Sequence, residues 1–428
     1  MPSSAAAPTC RFCRAPLTTT FVDLGMSPLC QTHIAPHQLG DMEPFYPLHA
    51  YVCGDCKLVQ LQEFVAPEHI FGEYAYFSSF ATSWVEHARR YTEMAIARFG
   101  LGVHSKVMEI ASNDGYLLQH FVAAGVPVLG VEPAANVAKA AEARGVPTAV
   151  EFLGQRTGEQ LAQAHGRAHL VLGNNVLAHV PDINDFVLGM RARLEANGVI
   201  TMEFPHLQRL IEGNQFDTIY HEHFSYLSFS TVERIFAAHG LTLFDVEELP
   251  THGGSLRIFA RHAASQAHPV SPSVAAMRER EATLGYHDLA RYTGFGEQVQ
   301  ATKRKLLAFL IQARNEGKKV VGYGAPGKGN TLLNYCGIRT DFLDYTVDRN
   351  PYKHGRYTPG THIPIEPTER IAETRPDAIV ILPWNLAREI ADQLEYTREW
   401  GAQLVVPIPT ARIMETSDQT AKRGVHGR

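Results

Sequence analysis

From about residue 80 to residue 204, short apolar runs alternate with segments of helical periodicity. Apolar residues recur at helical spacing from Ser83 to Phe99. Four runs that read as strands follow, at 106–110, 127–132, 169–173 and 198–204, with a small-residue turn after the first and a helix before the last. Strands that alternate with helices predict a parallel, doubly wound sheet, which binds ligands at the carboxyl ends of its strands.

A second pattern of this kind occupies the C-terminal part of the chain. A strand at 319–324 leads into the glycine-rich turn 325–331, and further strands are predicted at 342–348, 378–382 and 403–407. The glycines let the backbone approach a phosphate, and Lys328 and Asn330 add donors at a helix N-terminus. The turn lacks the spacing of a P-loop. We expect a second mononucleotide-like fold that contacts a diphosphate through Lys328, Asn330 and Arg349; a fold retained only for packing is the alternative.

Composition narrows the class of protein. The chain has 428 residues, 19% of them charged, and a net charge of −5. This length suggests two to four domains, and the charge gives no basic footprint for nucleic acid or an acidic membrane. No apolar run approaches the roughly 20 residues that span a bilayer. The N-terminus has no secretory pattern, so we expect a cytoplasmic protein with reduced cysteines.

Two Cys-x-x-Cys pairs near the N-terminus predict a metal site. Cys10 and Cys13 form the first pair, and Cys53 and Cys56 form the second, with 39 residues between the two pairs. Two such pairs complete a tetrahedral Zn–S₄ shell, which leaves no open position for a substrate. We therefore expect structural zinc; four unliganded thiols are the alternative.

The turn after the first strand of the doubly wound pattern indicates which ligand it binds. The turn Glu109-Ile-Ala-Ser-Asn-Asp-Gly115 has two acids and one glycine, whereas a dinucleotide site has Gly-x-Gly-x-x-Gly. Carboxylates repel a pyrophosphate, but Asp114 or Glu109 can hold the amine of S-adenosylmethionine (SAM), and Glu132 can accept from ribose hydroxyls. SAM is favoured over NAD. The expected cofactor-binding residues are Glu109, Ala111, Asn113, Asp114, Gly115, Glu132, Asn174 and Asn175. Trp84 and Phe80 are assigned to the core.

The segment 219–228 concentrates groups that move protons. Tyr220, His221, Glu222, His223 and Tyr226 lie within seven positions. The two histidines are two residues apart, which is not the zinc spacing His-Glu-x-x-His. An extended segment would send both histidines to one face, whereas a loop would let all these groups converge. A catalytic segment is the favoured interpretation, and a solvated polar turn is the alternative.

These motifs together resemble one enzyme family. The cysteine pairs, the turn 108–116, Asn174-Asn-Val-Leu-Ala-His-Val-Pro-Asp182, the segment 220–226 and the glycine-rich turn 322–330 all match. The match covers about residues 8–412. The chain resembles the SAM-dependent sugar-nucleotide C-methyltransferases, specifically the C-3′-methyltransferases that make branched deoxysugars.

The resemblance implies a substrate and roles for individual residues. The substrate would be an NDP-linked, usually dTDP-linked, 4-keto-deoxyhexose, with the nucleotide held between the central and C-terminal domains. His223 would remove the C-3 proton, with Tyr220, Glu222 and His179 nearby. An active-site tyrosine would be Tyr74 or Tyr76. From the residues alone His221 stays a competitor for the base, and a capping or core role is the alternative for His179.

The expected organisation is α/β. It comprises a zinc-binding lobe at 1–72, a Rossmann-like SAM methyltransferase domain at 73–262, a helical connector at 263–302, a second Rossmann-like domain at 303–412 and a disordered tail at 413–428. Two other functions are weighed: an NAD-dependent sugar-nucleotide oxidoreductase and a non-enzymatic zinc-ribbon binding protein. The sequence leaves the oligomeric state open and is compatible with a monomer.

Overall fold

The computed structural model of the protein describes residues 8–66 and 77–415. Tyr74 and Tyr76 lie outside the described residues, and so do residues 416–428 of the expected C-terminal tail. The chain folds into two compact units. The first unit comprises Met1–Thr19, Tyr51–Leu207 and Glu222–Tyr292, and the second comprises Thr20–Ala50, Gln208–His221 and Thr293–Arg428.

The strands are numbered in chain order. They are β1 Thr19–Ser27, β2 Tyr46–Val52, β3 Val59–Leu61, β4 Val107–Ile110, β5 Val128–Val131, β6 Thr148–Ala149, β7 Ala168–Asn174, β8 Leu194–Pro205, β9 Ser225–Tyr226, β10 Leu241–Leu249, β11 Ser255–His262, β12 Val320–Tyr323, β13 Thr346–Val347, β14 Ile365–Glu366, β15 Ala378–Ile381, β16 Gln403–Val406 and β17 Arg412–Ile413.

The α-helices of the described residues follow the same scheme. They are α1 Thr82–Phe99, α2 Leu118–Ala123, α3 Ala135–Ala143, α4 Gln155–His165, α5 Ile183–Arg193, α6 Leu207–Glu212, α7 Phe229–Ala238, α8 Pro272–Thr283, α9 Ala290–Thr293, α10 Phe295–Asn315, α11 Gly327–Cys336, α12 Arg370–Thr374 and α13 Ala387–Gln393.

The first unit contains a sheet with the strand order β10-β11-β8-β7-β4-β5-β6. The strands from β8 to β6 are parallel, and β10 and β11 add an antiparallel pair next to β8. Every residue of β4 is buried, as the apolar run predicted. The doubly wound part of the sheet is therefore confirmed, whereas the antiparallel pair was not foreseen.

Three polar residues lie near the carboxyl ends of neighbouring strands of this sheet: Glu109 on β4, Asn174 on β7 and Glu203 on β8. The end of the sheet where they lie is called its carboxyl edge. Leu172 pairs with Glu109 across β7 and β4, and Asn174 pairs with Glu203 across β7 and β8. Because parallel strands begin at the same edge, their carboxyl ends bring these side chains together. The sheet thus gathers polar groups from three strands at one edge, although its body is buried and apolar.

The second unit contains a sheet with the strand order β14-β13-β12-β15-β16-β17. The strands are parallel up to β16, and β17 is antiparallel to it. This is the order of a Rossmann-like sheet, with β12 as its first strand. The glycine-rich segment 325–331 follows β12 and forms the first turn of α11, so the expected C-terminal fold is confirmed.

None of the helices formed by residues 8–66 and 77–415 is long and apolar enough to cross a bilayer.

Candidate active site and metal centre

The four paired cysteines meet at one point in the first unit. Cys10 Sγ lies 3.5 Å from Cys56 Sγ, and Cys13 Sγ lies 3.5 Å from Cys53 Sγ. All four sulfurs lie within 4.8 Å of one another. Zn–S bonds of about 2.3 Å in a tetrahedron place sulfurs about 3.8 Å apart, so the set fits zinc.

The two cysteine pairs have the same local backbone. The residue after each pair, Arg14 or Lys57, has a left-handed conformation with φ of 66° and 64°. Its amide donates to the carbonyl of the first cysteine, at 2.9 Å for Arg14 and 3.1 Å for Lys57. Each Cys-x-x-Cys pair with its turn, here called a knuckle, thereby directs both of its thiols to the same side. Buried Gln60 adds a donor, because its Nε2 lies 3.2 Å from Cys10 Sγ.

The strand that leaves the second knuckle pairs with the histidine-rich segment. In this pairing of β3 with β9, Val59 is opposite Tyr226 and Gln60 is opposite Ser225. The amide of Leu61 donates to the carbonyl of Phe224 at 3.0 Å. The zinc-binding lobe is therefore joined by strand pairing to the chain that follows His223.

At the carboxyl edge of the first sheet, Glu109 is a buried carboxylate with an unusual environment. It is 1% exposed, and neither oxygen has a partner at full hydrogen-bonding geometry among the described residues. Burial, followed by the negative charges of Glu132 and Asp114, raises its pKa well above the ordinary value, while the Tyr116 hydroxyl lowers it slightly. Such a group is stabilised by a cationic ligand, which would replace the lost solvation.

The other two acids of this cluster already have partners. Glu132 accepts from the amides of Asn113 and Ala134, both at 3.0 Å. Asp114 pairs with Arg144 at 2.7 Å and accepts from Ser79 Oγ. Of the two residues proposed to hold the SAM amine, Glu109 is therefore the better candidate. The two oxygens of Glu132 retain lone pairs for ribose hydroxyls.

The turn between β4 and α2 is tightly built. Gly115 has φ of 77°, and a Cβ there would lie 3.1 Å from Val146 Cγ2 and 3.3 Å from the Ala141 backbone. Ala111 and Asn113 are also left-handed, with φ of 53° and 48°. Asn113 Oδ1 accepts from the amide of Ser78 at 2.8 Å, which ties the short 3-10 helix Ser78–Phe80, just before α1, to the turn.

Several side chains at this edge were not predicted. Trp84, which was assigned to the core, is half-buried against it and also stacks on Tyr116 and His87, with ring centroids 6.0 and 4.9 Å apart. The core assignment of Phe80 was wrong, because its side chain is 66% exposed. Buried Glu203 accepts from His87 at 2.8 Å and from Arg257 at 2.7 Å. A tryptophan near the start of a predicted helix was the one signal in the sequence; the partners of Glu203 come from distant segments.

His223 and His179 meet in the first unit. Their rings are edge to face, with centroids 4.6 Å apart, and the Tyr226 ring is 6.3 Å from His223. Burial lowers the pKa of His179 to about 4, so its imidazole is neutral at pH 7. Glu222 is buried beside them in the chain. The arrangement can accept a proton on one imidazole and hold the other neutral as a hydrogen-bonding group.

His221 has a different surrounding. Residues 221 and 222 form a turn, so the segment is not extended and the two histidines do not share a face. His221 belongs to the second unit, where its Nε2 lies 3.2 Å from the carbonyl of Pro47 and its ring meets the edge of Tyr46. Burial lowers the pKa of His221. Tyr220, also in the second unit, is half-buried.

The expected diphosphate residues belong to the second unit. Lys328 Nζ donates to Asn385 Oδ1 at 2.8 Å and lies 4.6 Å from the centre of the Trp384 ring. Burial lowers the pKa of Lys328. Asn330 is 4% exposed, and its Nδ2 has no hydrogen-bond partner among the described residues. Arg349 is exposed and lies 3.8 Å from Glu389.

Lys328 also has an acidic neighbour that the sequence analysis missed. Asp217 is fully buried and accepts from Trp384 Nε1 at 2.7 Å. Burial raises the pKa of Asp217 to about 6, and the charge of Lys328 opposes this rise.

Comparisons with known proteins agree with this geometry. Three family profiles match: "Putative zinc binding domain" at residues 10–71, "Methyltransferase domain" at 84–246 and "C-methyltransferase C-terminal domain" at 250–409. The C-methyltransferase NovU of Streptomyces niveus is 38% identical over 408 residues, which cover 95% of this chain and 96% of that protein.

Solved structures resemble part of the chain. A SAM-dependent methyltransferase from Clostridium acetobutylicum is 10% identical and covers 42% of this chain and 92% of its own, with a TM-score of 0.35. Magnesium protoporphyrin IX methyltransferase from Synechocystis with bound SAH is 13% identical and covers 41% of this chain and 82% of its own, with a TM-score of 0.33.

The full-length match decides the family, and the zinc-binding profile together with the four-cysteine cluster accounts for the zinc. The chain belongs to the C-methyltransferase family and is a SAM-dependent C-methyltransferase with an N-terminal zinc-binding domain.

Proposed function

We propose that the protein methylates C-3 of an NDP-linked 4-keto-deoxyhexose, with dTDP as the nucleotide, in the biosynthesis of branched deoxysugars. The observation that carries this proposal is the His179–His223 pair, with ring centroids 4.6 Å apart. A carbon nucleophile needs a base near the methyl donor, and a neutral imidazole is suited to remove a proton made acidic by a neighbouring ketone. The family resemblance supplies the sugar nucleotide.

The proposed steps balance in protons and electrons. His223 takes the C-3 proton, and the C–H electron pair becomes an enolate with its charge on the 4-keto oxygen. As the ketone re-forms, the enolate electron pair bonds C-3 to the methyl group that bound SAM would supply, and the C–S electron pair would leave with SAH. Tyr220 is proposed to donate a hydrogen bond to the enolate oxygen. His179, held neutral by burial and with its ring N–H bonded to the backbone of Glu222, is proposed to hold the chain beside His223. Glu222 is proposed to orient the substrate, as is Tyr74 or Tyr76.

The surroundings of the two rings favour His223 over His221 as the base. His221 Nε2 meets the Pro47 carbonyl, which accepts hydrogen bonds only, so that nitrogen carries the proton and the lone pair is on Nδ1, which is buried in the second unit. His223, in contrast, faces another titratable ring and a phenol. We therefore assign His221 a structural role and His223 the proton transfer.

The methyl donor is proposed to bind at the carboxyl edge of the first sheet. Glu109 would hold the SAM amine and Glu132 the ribose, with Asn174 and Asn175 at the end of β7. Ala111, Asn113, Asp114 and Gly115 shape the turn. The buried, unsatisfied carboxylate of Glu109 supports a cationic ligand there. Neither the oxidoreductase nor the zinc-ribbon scaffold is carried forward, because the turn lacks the glycine triplet and the relatives are methyltransferases.

The nucleotide diphosphate is proposed to bind in the C-terminal domain through Lys328 and Asn330. Lys328 is a cation at the start of α11, where the helix dipole also favours an anion, and the buried amide of Asn330 provides an unused donor. Arg349 would contribute less, because its side chain is 70% exposed. The domain limits given above are part of this proposal.

The test is methyl transfer from SAM to a panel of NDP-4-keto-deoxyhexoses, read as a mass increase of one methyl group. We expect His223→Asn to lower turnover by about 10²- to 10⁴-fold while SAM and dTDP still bind. His221→Asn is the matched control and should keep turnover within about threefold, since its hydrogen bond contributes only stability, about 1 kcal/mol. Turnover by His223→Asn at the wild-type rate would refute the assignment, and no product with any sugar would refute the substrate class.

A further inference from the structure

The turn between β10 and β11 carries a strained histidine. His252 has φ of 52° and ψ of 24°, a left-handed conformation that glycine and asparagine adopt more easily. Two glycines with positive φ, Gly253 and Gly254, follow it. Strained residues persist where the surrounding structure fixes them, and they cluster at functional sites. A role for the imidazole in a functional site would explain why this conformation is kept.

Strain of this kind recurs at the proposed SAM site. Ala111, Asn113 and Asn175, each at the carboxyl end of β4 or β7, have φ of 53°, 48° and 55°. His252 belongs to the same group in space, because its Nε2 lies 2.8 Å from Asn175 Nδ2. The left-handed residues of three loops thus converge at one edge of the first sheet.

The turn that carries His252 is anchored on both sides. Thr251 Oγ1 donates to Glu203 Oε1 at 2.8 Å, and the amide of His206 donates to the carbonyl of Gly254 at 3.0 Å. The imidazole itself meets the Trp84 indole at 62°, with centroids 5.0 Å apart. The position of His252 is therefore set by β8, and its ring in turn limits where Asn175 and Trp84 can move.

The hydrogen bond to Asn175 has a direction. Asn175 Nδ2 can only donate, so His252 Nε2 accepts and the ring is neutral. This leaves Asn175 Oδ1 buried, with no hydrogen-bond partner among the described residues. A buried carbonyl oxygen without a donor is costly, and a ligand N–H or O–H would satisfy it. SAM carries such donors on its amine, ribose and adenine.

We propose that His252 is a positioning residue of the methyl-donor site: its imidazole holds the Asn175 carboxamide with the oxygen presented to SAM, and holds the Trp84 indole beside it. The inference rests on the proposed SAM site. His252 acts through Asn175, so its removal frees the amide to rotate and lose the alignment of its acceptor. An effect on SAH affinity follows, and this effect needs no sugar nucleotide.

The experiment is calorimetric titration of the full chain with SAH. His252→Asn keeps the left-handed backbone and removes the imidazole, and we expect about tenfold weaker binding, the effect of one buried hydrogen bond. His252→Gly, in case the first variant does not fold, should show the same loss, with partial recovery in millimolar imidazole. Arg375→Asn is the matched control, because Arg375 is also left-handed, with φ of 45°, but lies in the second unit. Its SAH affinity should not change.

A double mutant separates positioning from general destabilisation. If His252 acts through Asn175, then Asn175→Ala combined with His252→Asn binds SAH no more weakly than the weaker single variant. Additive losses, or His252→Asn binding within twofold of wild type, would overturn the proposal. Wild-type protein that binds SAH but methylates no sugar would refute only the proposed substrate. Failure of the wild-type protein to bind SAH would refute the proposed SAM site itself.

Discussion

Replacing Glu109 with Gln should weaken SAM binding and at the same time stabilise the protein without ligand. The substitution keeps the shape of a side chain that is 1% exposed and removes its charge. In the free protein that charge is unfavourable, because burial and the carboxylates of Glu132 and Asp114 oppose it. In the complex it would face a cation. The two effects therefore have opposite signs, which a general packing defect would not produce.

The expected loss of affinity follows from the contact that is removed. A hydrogen bond between a carboxylate and an ammonium contributes about 1.5–3 kcal/mol, which corresponds to a roughly 10- to 150-fold rise in Kd. The gain in stability depends on pH. Because the folded-state pKa of Glu109 is raised, wild-type stability falls as pH rises from the ordinary carboxyl pKa to the folded one, by up to about 1.4 kcal/mol per pH unit, and then levels off.

The assay is calorimetry with SAM, together with thermal unfolding from pH 5 to pH 9. Glu109→Gln should lack this part of the pH dependence and exceed wild type in Tm at the alkaline end. Proton release on SAM binding is measured by comparing the binding enthalpy in buffers of different ionisation enthalpy. Wild type should release a proton from Glu109, and Glu109→Gln should release none from this position. Glu142→Gln, an exposed position on α3 in the same unit, makes the same chemical change as a control. Unchanged SAM affinity, or a lower Tm than wild type at pH 9, would refute the reasoning.

Three further predictions concern the metal lobe, the acidic turn and the nucleotide residues. Gln60→Ala removes the donor to Cys10 and should weaken zinc retention about 10- to 100-fold, measured by competition with a chromophoric chelator; unchanged retention would exclude a role for Gln60. Arg144→Met leaves the Asp114 carboxylate buried without its cation, and should lower the free energy of unfolding by about 2–3 kcal/mol in a denaturant titration at pH 7; an unchanged midpoint would contradict this. Lys328→Met should weaken dTDP binding about tenfold in calorimetry, whereas Arg349→Met, on an exposed side chain, should change it less than threefold. Equal effects would argue against the proposed difference in burial.

The parts of the site that were predicted from sequence are those that a single rule places. Glu109, Glu132 and Asn174 follow or end parallel strands, and the carboxyl ends of such strands share an edge. The cysteines were predicted from short, regular spacing. In both cases the information is local, because a few consecutive residues determine which way the side chain points.

The residues that were missed depend on contacts between distant segments. His252 is 77 positions from Asn175, and it reaches the site because β10 and β11 fold back as an antiparallel pair against β8. No periodicity in the sequence predicts that β10 and β11 extend the sheet in this way. His221 and His223 illustrate the same limit at short range, because the turn at residues 221 and 222 cancels the alternation expected of a strand. Their different partners follow from that turn.

The zinc lobe gives the clearest connection between a structural element and the proposed chemistry. Arg11, within the first knuckle, donates from Nη1 to the carbonyl of Pro181 at 2.6 Å and lies 5.3 Å from the centre of the Phe224 ring. Pro181 is two residues after His179, and Phe224 directly follows His223. Because both histidines are flanked by contacts to the same lobe, an ion that closes the knuckles would also limit how far the two imidazoles can separate. A metal without an open coordination position would in this way support the proposed proton transfer, by fixing the backbone that carries the proposed base.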